Sequence, residues 1–191
     1  MWLFKNSFTI TTIHDKISTL IIIGHDINKE RVKPDNFIAC IEISKGSKKK
    51  YELDKETGML FLDRVLYTST HYPVPKTYAE DNDPLDVLVL CQEVIDPLTL
   101  VECYPIGVVK MIDSDEVDEK IIAIAKKDPS LNCYHDISEL PKHTFNEISH
   151  FFEVYINLEG KKTVVKEVLG RKKAIEIIKS CLEIYQWRFE K

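Results

Sequence analysis

The 191-residue chain has no Cys-x-x-Cys pair and no arginine among its first 23 residues. It also has no apolar run near the about 20 residues that a helix needs to cross a bilayer. The first absence matters because five cysteines are present: Cys40, Cys91, Cys103, Cys133 and Cys181. Their odd number and wide spacing argue against a zinc ribbon or a redox dithiol. Most sit in apolar runs such as Phe37-Ile38-Ala39-Cys40-Ile41, so they read as small buried hydrophobes in a reducing cytosol. The lack of long apolar runs, with 30% charged residues, argues against a membrane protein; the longest patch at the start is Leu20–Ile23. The missing arginines bear on targeting. The Ser- and Thr-rich start, whose one acid is Asp15, has the flavour of an organelle presequence, but such segments are rich in arginine and this one offers only Lys5 and Lys16. No basic patch precedes a long apolar stretch, as a secretory signal requires. A cytoplasmic location is the expectation. Repeats and low-complexity linkers are absent too, and a single domain over residues 25–191, behind an N-terminal extension at 1–24, accounts for the length.

The formal net charge is −5, which makes nucleic acid or an anionic membrane surface an unfavourable partner. The charge is unevenly spread. Residues 80–118 hold eleven acids and one base, Lys110, for a local net of −10, and the remainder of the chain is +5.

Strand-like patterns fill the middle of the chain. Phe37–Ile43 alternates, with Glu42 among apolar neighbours, and Met59–Tyr67 follows the turn residue Gly58, interrupted by Asp63-Arg64. Lys45–Lys50 reads as a basic, solvated hairpin turn. Val87-Leu88-Val89-Leu90 is a short continuous apolar run, typical of a strand buried on both faces. Ile106–Ile112, Ile121–Ala125 and Thr163–Val168 are further strands. The period then changes: Phe145, Ile148, Phe152 and Tyr155 recur at helical spacing after Pro141, and Ala174, Ile177, Ile178, Cys181, Leu182 and Tyr185 do so after Gly170. Strands first and helices last predict an α+β fold, mainly β: a small barrel or curled sheet carrying two helices.

The most informative string is Glu80-Asp81-Asn82-Asp83-Pro84-Leu85-Asp86, directly before Val87–Leu90. Carboxylates this close raise one another's pKa unless a cation neutralises them, so a metal is expected there. An EF-hand loop starting at Asp81 would need Gly at its sixth place and Glu at its twelfth; those places hold Asp86 and Gln92, and the reading fails. An open Mg²⁺ site, in which a few carboxylates hold ions that also meet a phosphate, fits better. Asp113-Ser114-Asp115-Glu116-Val117-Asp118 also follows an apolar strand. Alone it is an exposed loop; beside the first cluster it forms the second wall of a metal site. Arg64 interrupts an apolar stretch, and Lys50 and Lys120 flank strands. Arg64 can make a bidentate contact with phosphate and lysine acts as a point charge.

These residues fall into an ordered set of strings: His25-Asp26-Ile27, Ile41-Glu42-Ile43, Lys50–Gly58, Asp63–Tyr67, Tyr72-Pro73, Glu80–Leu90, Pro105-Ile106-Gly107, Lys110–Asp113, Asp118–Ala123 and His150–Glu153 with Tyr155. In them the chain resembles the soluble, Mg²⁺-dependent inorganic pyrophosphatases of the β-barrel type (family I), over residues 25–190. The resemblance implies a closed, OB-like barrel with two C-terminal helices packed outside. It implies Mg²⁺ as cofactor, with Asp81, Asp86, Asp113 and Asp118 as direct ligands and Asp83 as general base on a metal-bridging water. Glu42 and Glu52 would hold waters of the metal shell, Lys50, Arg64, Lys120 and Tyr155 would bind the phosphates, and Tyr72 would orient the site. The implied substrate is pyrophosphate and the implied assembly a homo-oligomer, with no nucleic-acid or membrane partner. Two departures concern the substrate end. The family's Asn-Tyr-Gly stretch is missing after Tyr72-Pro73, and Ile156 stands where a phosphate-binding lysine is usual; they leave open a homologue that binds metal and phosphate without turnover. A nucleic-acid-binding OB module needs exposed aromatics along a basic groove, whereas here the aromatics follow apolar patterns and the groove is acidic.

Overall fold

The computed structural model describes residues 31–54, 57, 59–66, 74–75, 85–113, 116–154 and 163–189. The strands are β1 (Phe37–Ile43), β2 (Lys49–Leu53), β3 (Leu60–Val65), β4 (Val74–Pro75), β5 (Asp86–Leu90), β6 (Leu100–Asp113), β7 (Glu116–Ala125) and β8 (Thr163–Gly170). The helices are α1 (Lys142–Val154), which starts after Pro141, and α2 (Arg171–Phe189), which starts after Gly170. The fold is mainly β with two helices, as the change of period predicts. No described helix is long and apolar enough to cross a membrane.

The main sheet runs β4–β1–β6–β7–β5, with β8 joining at β6, and β2 and β3 form a hairpin of their own. β6 is the spine, antiparallel to β1, β7 and β8; β5 lies parallel to β7. Among the described residues the hydrogen-bonded path has two ends, β4 and β5, so the ladder is not a closed ring. Those two ends lie beside each other, which gives the sheet its curl.

The sheet divides two apolar cores. Val87 and Val89 of β5 join Ile41, Ile121, Ala123 and the inner side of α2 (Ala174, Ile177, Ile178, Cys181). Leu88 and Leu90 join Val109, Met111, Ile122, Ile124 and the α1 residues Ile148, Phe151 and Phe152. Both faces of β5 are therefore covered, which is why its Val87–Leu90 run is continuously apolar rather than alternating. Each leucine or isoleucine fully buried here contributes about 1.5–3 kcal/mol of transfer free energy.

Three elements extend past their apolar runs. β2 takes in Lys49 and Lys50, which read as turn. β7 begins at Glu116, five residues before Ile121, because cross-strand pairing to β6 carries the charged stretch. β6 begins at Leu100 and passes through Pro105. Proline cannot donate to the ladder, and the register to β7 slips there, leaving Ile106 as an unpaired bulge between Pro105 and Gly107. At Gly107 a Cβ would lie 2.8 Å from the Ile137 Cβ and 2.8 Å from the Leu169 carbonyl oxygen. Gly107→Ala is expected to cost about 1–3 kcal/mol through overpacking, read as a lower denaturant midpoint at unchanged m.

Two buried or half-buried aspartates hold the loops around this frame. The first turn of α2 carries Arg171, Lys172 and Lys173 at the positive end of its dipole. Asp136 offsets them: its Oδ2 accepts the Arg171 N–H at 2.8 Å, and its Oδ1 accepts the Ser138 N–H at 3.0 Å, capping the 3₁₀ turn Ile137–Glu139. Asp128, 8% exposed, accepts the Gln92 N–H at 2.6 Å and the Ser130 N–H at 2.8 Å, tying the end of β5 to the turn after β7. Burial pushes the Asp128 carboxyl up, but the hydrogen bonds it accepts, from the Gln92 and Ser130 N–H groups and then from the Cys91 and Ser130 side chains, outweigh it and hold the pKa below the usual aspartate value. A depressed folded-state pKa gives stability that is present above the unfolded value of about 3.9 and lost as pH falls through the folded one. The melting temperature is therefore expected to fall as pH drops below about 4, and Asp128→Asn to lower it at pH 7 while flattening that acid limb.

The described cysteines form no disulfide with one another. Cys103 and Cys181 are buried and Cys40 and Cys91 half-buried, as apolar surroundings predict, but Cys133 is exposed in the turn after β7. Burial, then the neighbouring Glu42 carboxylate, push the Cys40 thiol up to about 11, which leaves it protonated and inert at neutral pH.

Candidate active site

The parallel register of β5 and β7 sets the first group of charges. Leu90 lies opposite Ile124 and Leu88 opposite Ile122; the next row in the same series pairs Asp86 with Lys120. The period of two that sends Leu88 and Leu90 into the α1-side core thus sends Asp86 to its rim, and Lys120 and Asp118 share a face of β7 by the same rule. Lys120 is 9% exposed. Its ammonium is paired with the Asp86 carboxylate and lies 2.7 Å from the Asp118 carboxylate. Burial pulls the ammonium pKa down, but Asp86 and Asp118 outweigh it and leave it above the ordinary lysine value. One cation therefore draws together two acids from different acid-rich segments. Both carboxylates keep about a quarter of their side-chain surface in water (26% and 27%), so they remain reachable by a ligand.

The β2–β3 hairpin supplies the second group. Lys50 and Arg64 are directly opposite each other in the ladder, an arrangement that like charges disfavour. The Lys50 ammonium contacts Glu52 at 3.0 Å and Asp63 at 2.9 Å, and the Arg64 guanidinium contacts Asp63 at 2.7 Å. Hydrogen bonding from Lys50 holds the Asp63 carboxyl below the usual carboxylate range. Asp63 has no role in the sequence reading; its signal there was an acid beside an arginine inside an apolar strand.

Glu42 sits apart on β1. Ile41 pairs with Pro75 and Ile43 with Val74, so two β1 residues face one step of β4 and Glu42 lies at the irregularity. Bulges of this kind re-aim a side chain, and this one places a carboxylate of 8% exposure within the sheet.

The predicted site residues thus fall into Asp86, Asp118 and Lys120 at the β5–β7 end, Lys50, Glu52 and Arg64 on the hairpin, and Glu42 on β1. Asp81, Asp83, Tyr72 and Tyr155 lie outside the described residues, as do Ile156 and the N-terminal extension. Asp113 ends β6 opposite Glu116, and its side chain is not among those described. Among the described residues no group of three or more His, Cys, Asp or Glu side chains is poised to hold a metal ion. The described donors at the β5–β7 end are two carboxylates, hard oxygen ligands that suit an ion which keeps waters and meets a phosphate.

The sequence pattern of the inorganic pyrophosphatase family matches residues 39–186. The chain is 48% identical over 168 residues to soluble inorganic pyrophosphatase 2 of Chlamydomonas reinhardtii, covering 85% of this chain and 87% of that protein. It is 45% identical over 166 residues to soluble inorganic pyrophosphatase 1 of Arabidopsis thaliana, covering 84% of this chain and 78% of that one. The solved inorganic pyrophosphatase of Helicobacter pylori superposes with a TM-score of 0.76 at 40% identity, over 81% of this chain and 95% of that one. That of Thermus thermophilus does so with a TM-score of 0.75 at 37% identity, over 80% and 92%. The chain belongs to the inorganic pyrophosphatase family, a family of metal-dependent hydrolases.

Proposed function

We propose that this chain hydrolyses inorganic pyrophosphate to two orthophosphates by attack of a water at one phosphorus, with several Mg²⁺ ions bound. The observation that carries the reading is the Asp86–Lys120–Asp118 group at the end of two buried strands, in a chain whose family is that of the inorganic pyrophosphatases. Asp81, Asp86, Asp113 and Asp118 would hold the Mg²⁺, which when bound supplies a water of lowered pKa and neutralises phosphoryl charge. Asp83 takes the proton of the attacking water; a carboxylate suffices because that water is already acidic. Lys50, Arg64, Lys120 and Tyr155 bind phosphate oxygens and take up the charge that develops on the leaving phosphate. Glu42 and Glu52 accept hydrogen bonds from site waters, and Tyr72 orients the substrate. Lys120 has a double duty, since its partners Asp86 and Asp118 are themselves ligands.

The same reading includes the finer architecture. A closed OB-like barrel is supported by the approach of β4 to β5, and a catalytic domain over residues 25–191 by a family match that covers residues 39–186 of it. A homo-oligomer in the cytoplasm completes it. The test is phosphate release from pyrophosphate by the purified chain at millimolar Mg²⁺, with an Asp83→Asn control. Release well above the control supports the reading; release no higher than the control removes it.

A further inference from the structure

We infer that Asp63 is a positioning residue, which fixes the Lys50–Arg64 pair in the geometry that receives a phosphate and acts through those two cations. The inference rests on the proposed pyrophosphatase reading for what the cations bind. Its own support is the backbone. Lys50 pairs with Arg64, but the next step pairs Tyr51 with Leu62, so Asp63 is the extra residue of a bulge in β3. In a regular strand, residues 63 and 64 would point to opposite faces. The bulge turns the Asp63 carboxylate so that it meets both the Arg64 guanidinium at 2.7 Å and the Lys50 ammonium at 2.9 Å. A bulge is a device for re-aiming one side chain, and here the re-aimed side chain lies between two cations that the ladder sets against each other. All three groups stay partly open to solvent, at 30% for Lys50 and Asp63 and 39% for Arg64, so the pair is both held and accessible.

Two simpler roles make different predictions. If Asp63 only stabilised the hairpin, its loss would lower the melting temperature and leave kinetics alone. If it only competed with substrate for the cations, its loss would tighten binding of a polyanion. A positioning role places the effect in the transition state, where small misplacements of binding groups are expensive.

The experiment compares Asp63→Asn, Asp63→Glu, Lys50→Met and the Asp63→Asn/Lys50→Met double variant with the wild type. It measures kcat and KM for magnesium pyrophosphate, calorimetric binding of pyrophosphate and thermal melting. Asp63→Asn is expected to lower kcat by about tenfold or more, with a KM that changes less and a melting temperature that barely moves. Asp63→Glu should recover part of the loss. In the Lys50→Met background the Asp63→Asn effect should shrink, because the two residues act as a unit. Unchanged kcat, or an equal loss in both backgrounds, overturns the positioning role. A wild type without turnover overturns the pyrophosphatase reading instead; calorimetry then decides, since tighter pyrophosphate binding by Asp63→Asn would mark a competitor for the cations and overturn the inference, whereas equal or weaker binding is what positioning predicts.

Discussion

Replacing Lys120 by methionine is expected to destabilise the metal-free protein and to make its stability unusually responsive to Mg²⁺. The ammonium at position 120 is buried and holds the Asp86 and Asp118 carboxylates together. Removing one partner from a fully buried ion pair costs about 3–5 kcal/mol, because the charge left behind is neither hydrated nor paired. Asp86 and Asp118 each retain about a quarter of their surface in water, so a loss of about 2 kcal/mol is the expectation for this site. The two acids left facing each other should then be relieved by a divalent cation. A ligand that binds the folded state raises stability with its concentration, so the Mg²⁺-induced rise in melting temperature should be larger for Lys120→Met than for the wild type. On the proposed role of Lys120 as a phosphate contact, activity should fall as well. Melting curves with and without Mg²⁺ check the prediction, and a variant whose Mg²⁺ response matches the wild type would contradict it.

Asp83→Asn carries the largest kinetic effect. Asparagine preserves the size of the side chain and its capacity to accept a hydrogen bond, but it cannot take a proton. A positioned general base contributes about 10²–10⁴ to a rate, so kcat should drop by that order while KM and the melting temperature stay near their wild-type values. The resemblance to the family assigns the base to this position, three residues before Asp86 in the acid-rich run Glu80–Asp86. An Asp83→Asn variant that retains most of its kcat would move the base elsewhere.

The order of strands and helices was legible because periodicity follows burial. Val87–Leu90 of β5 is apolar throughout because both of its faces are covered, and Pro141 and Gly170 stand directly before the starts of α1 and α2. The extents of β2, β6 and β7 were less legible. Lys49 and Lys50 pair in a strand while their charges report solvent, and Pro105 sits inside a long strand because a bulge absorbs it. Of the site, composition identified the acids, and only three-dimensional pairing showed that Lys120 links Asp86 to Asp118. For Asp63 the sequence shows only an acid beside an arginine in an apolar run, since the one-residue slip in register on which its proposed role depends leaves no periodic trace. The exposure of Cys133 was likewise set by a turn rather than by its own hydrophobicity.

The acid-rich segment at 80–118 is, on this account, a metal cage whose charge Mg²⁺ cancels in the working enzyme. The most direct test is the stoichiometry and metal dependence of phosphate release from pyrophosphate by the full 191-residue chain, its intact mass verified. The account predicts two orthophosphates per pyrophosphate consumed, at a rate that is lost on chelation and restored by Mg²⁺. Tight binding of pyrophosphate and Mg²⁺ with no release of phosphate would contradict it, and would show that the missing Asn-Tyr-Gly stretch and Ile156 have left a binding protein in place of an enzyme.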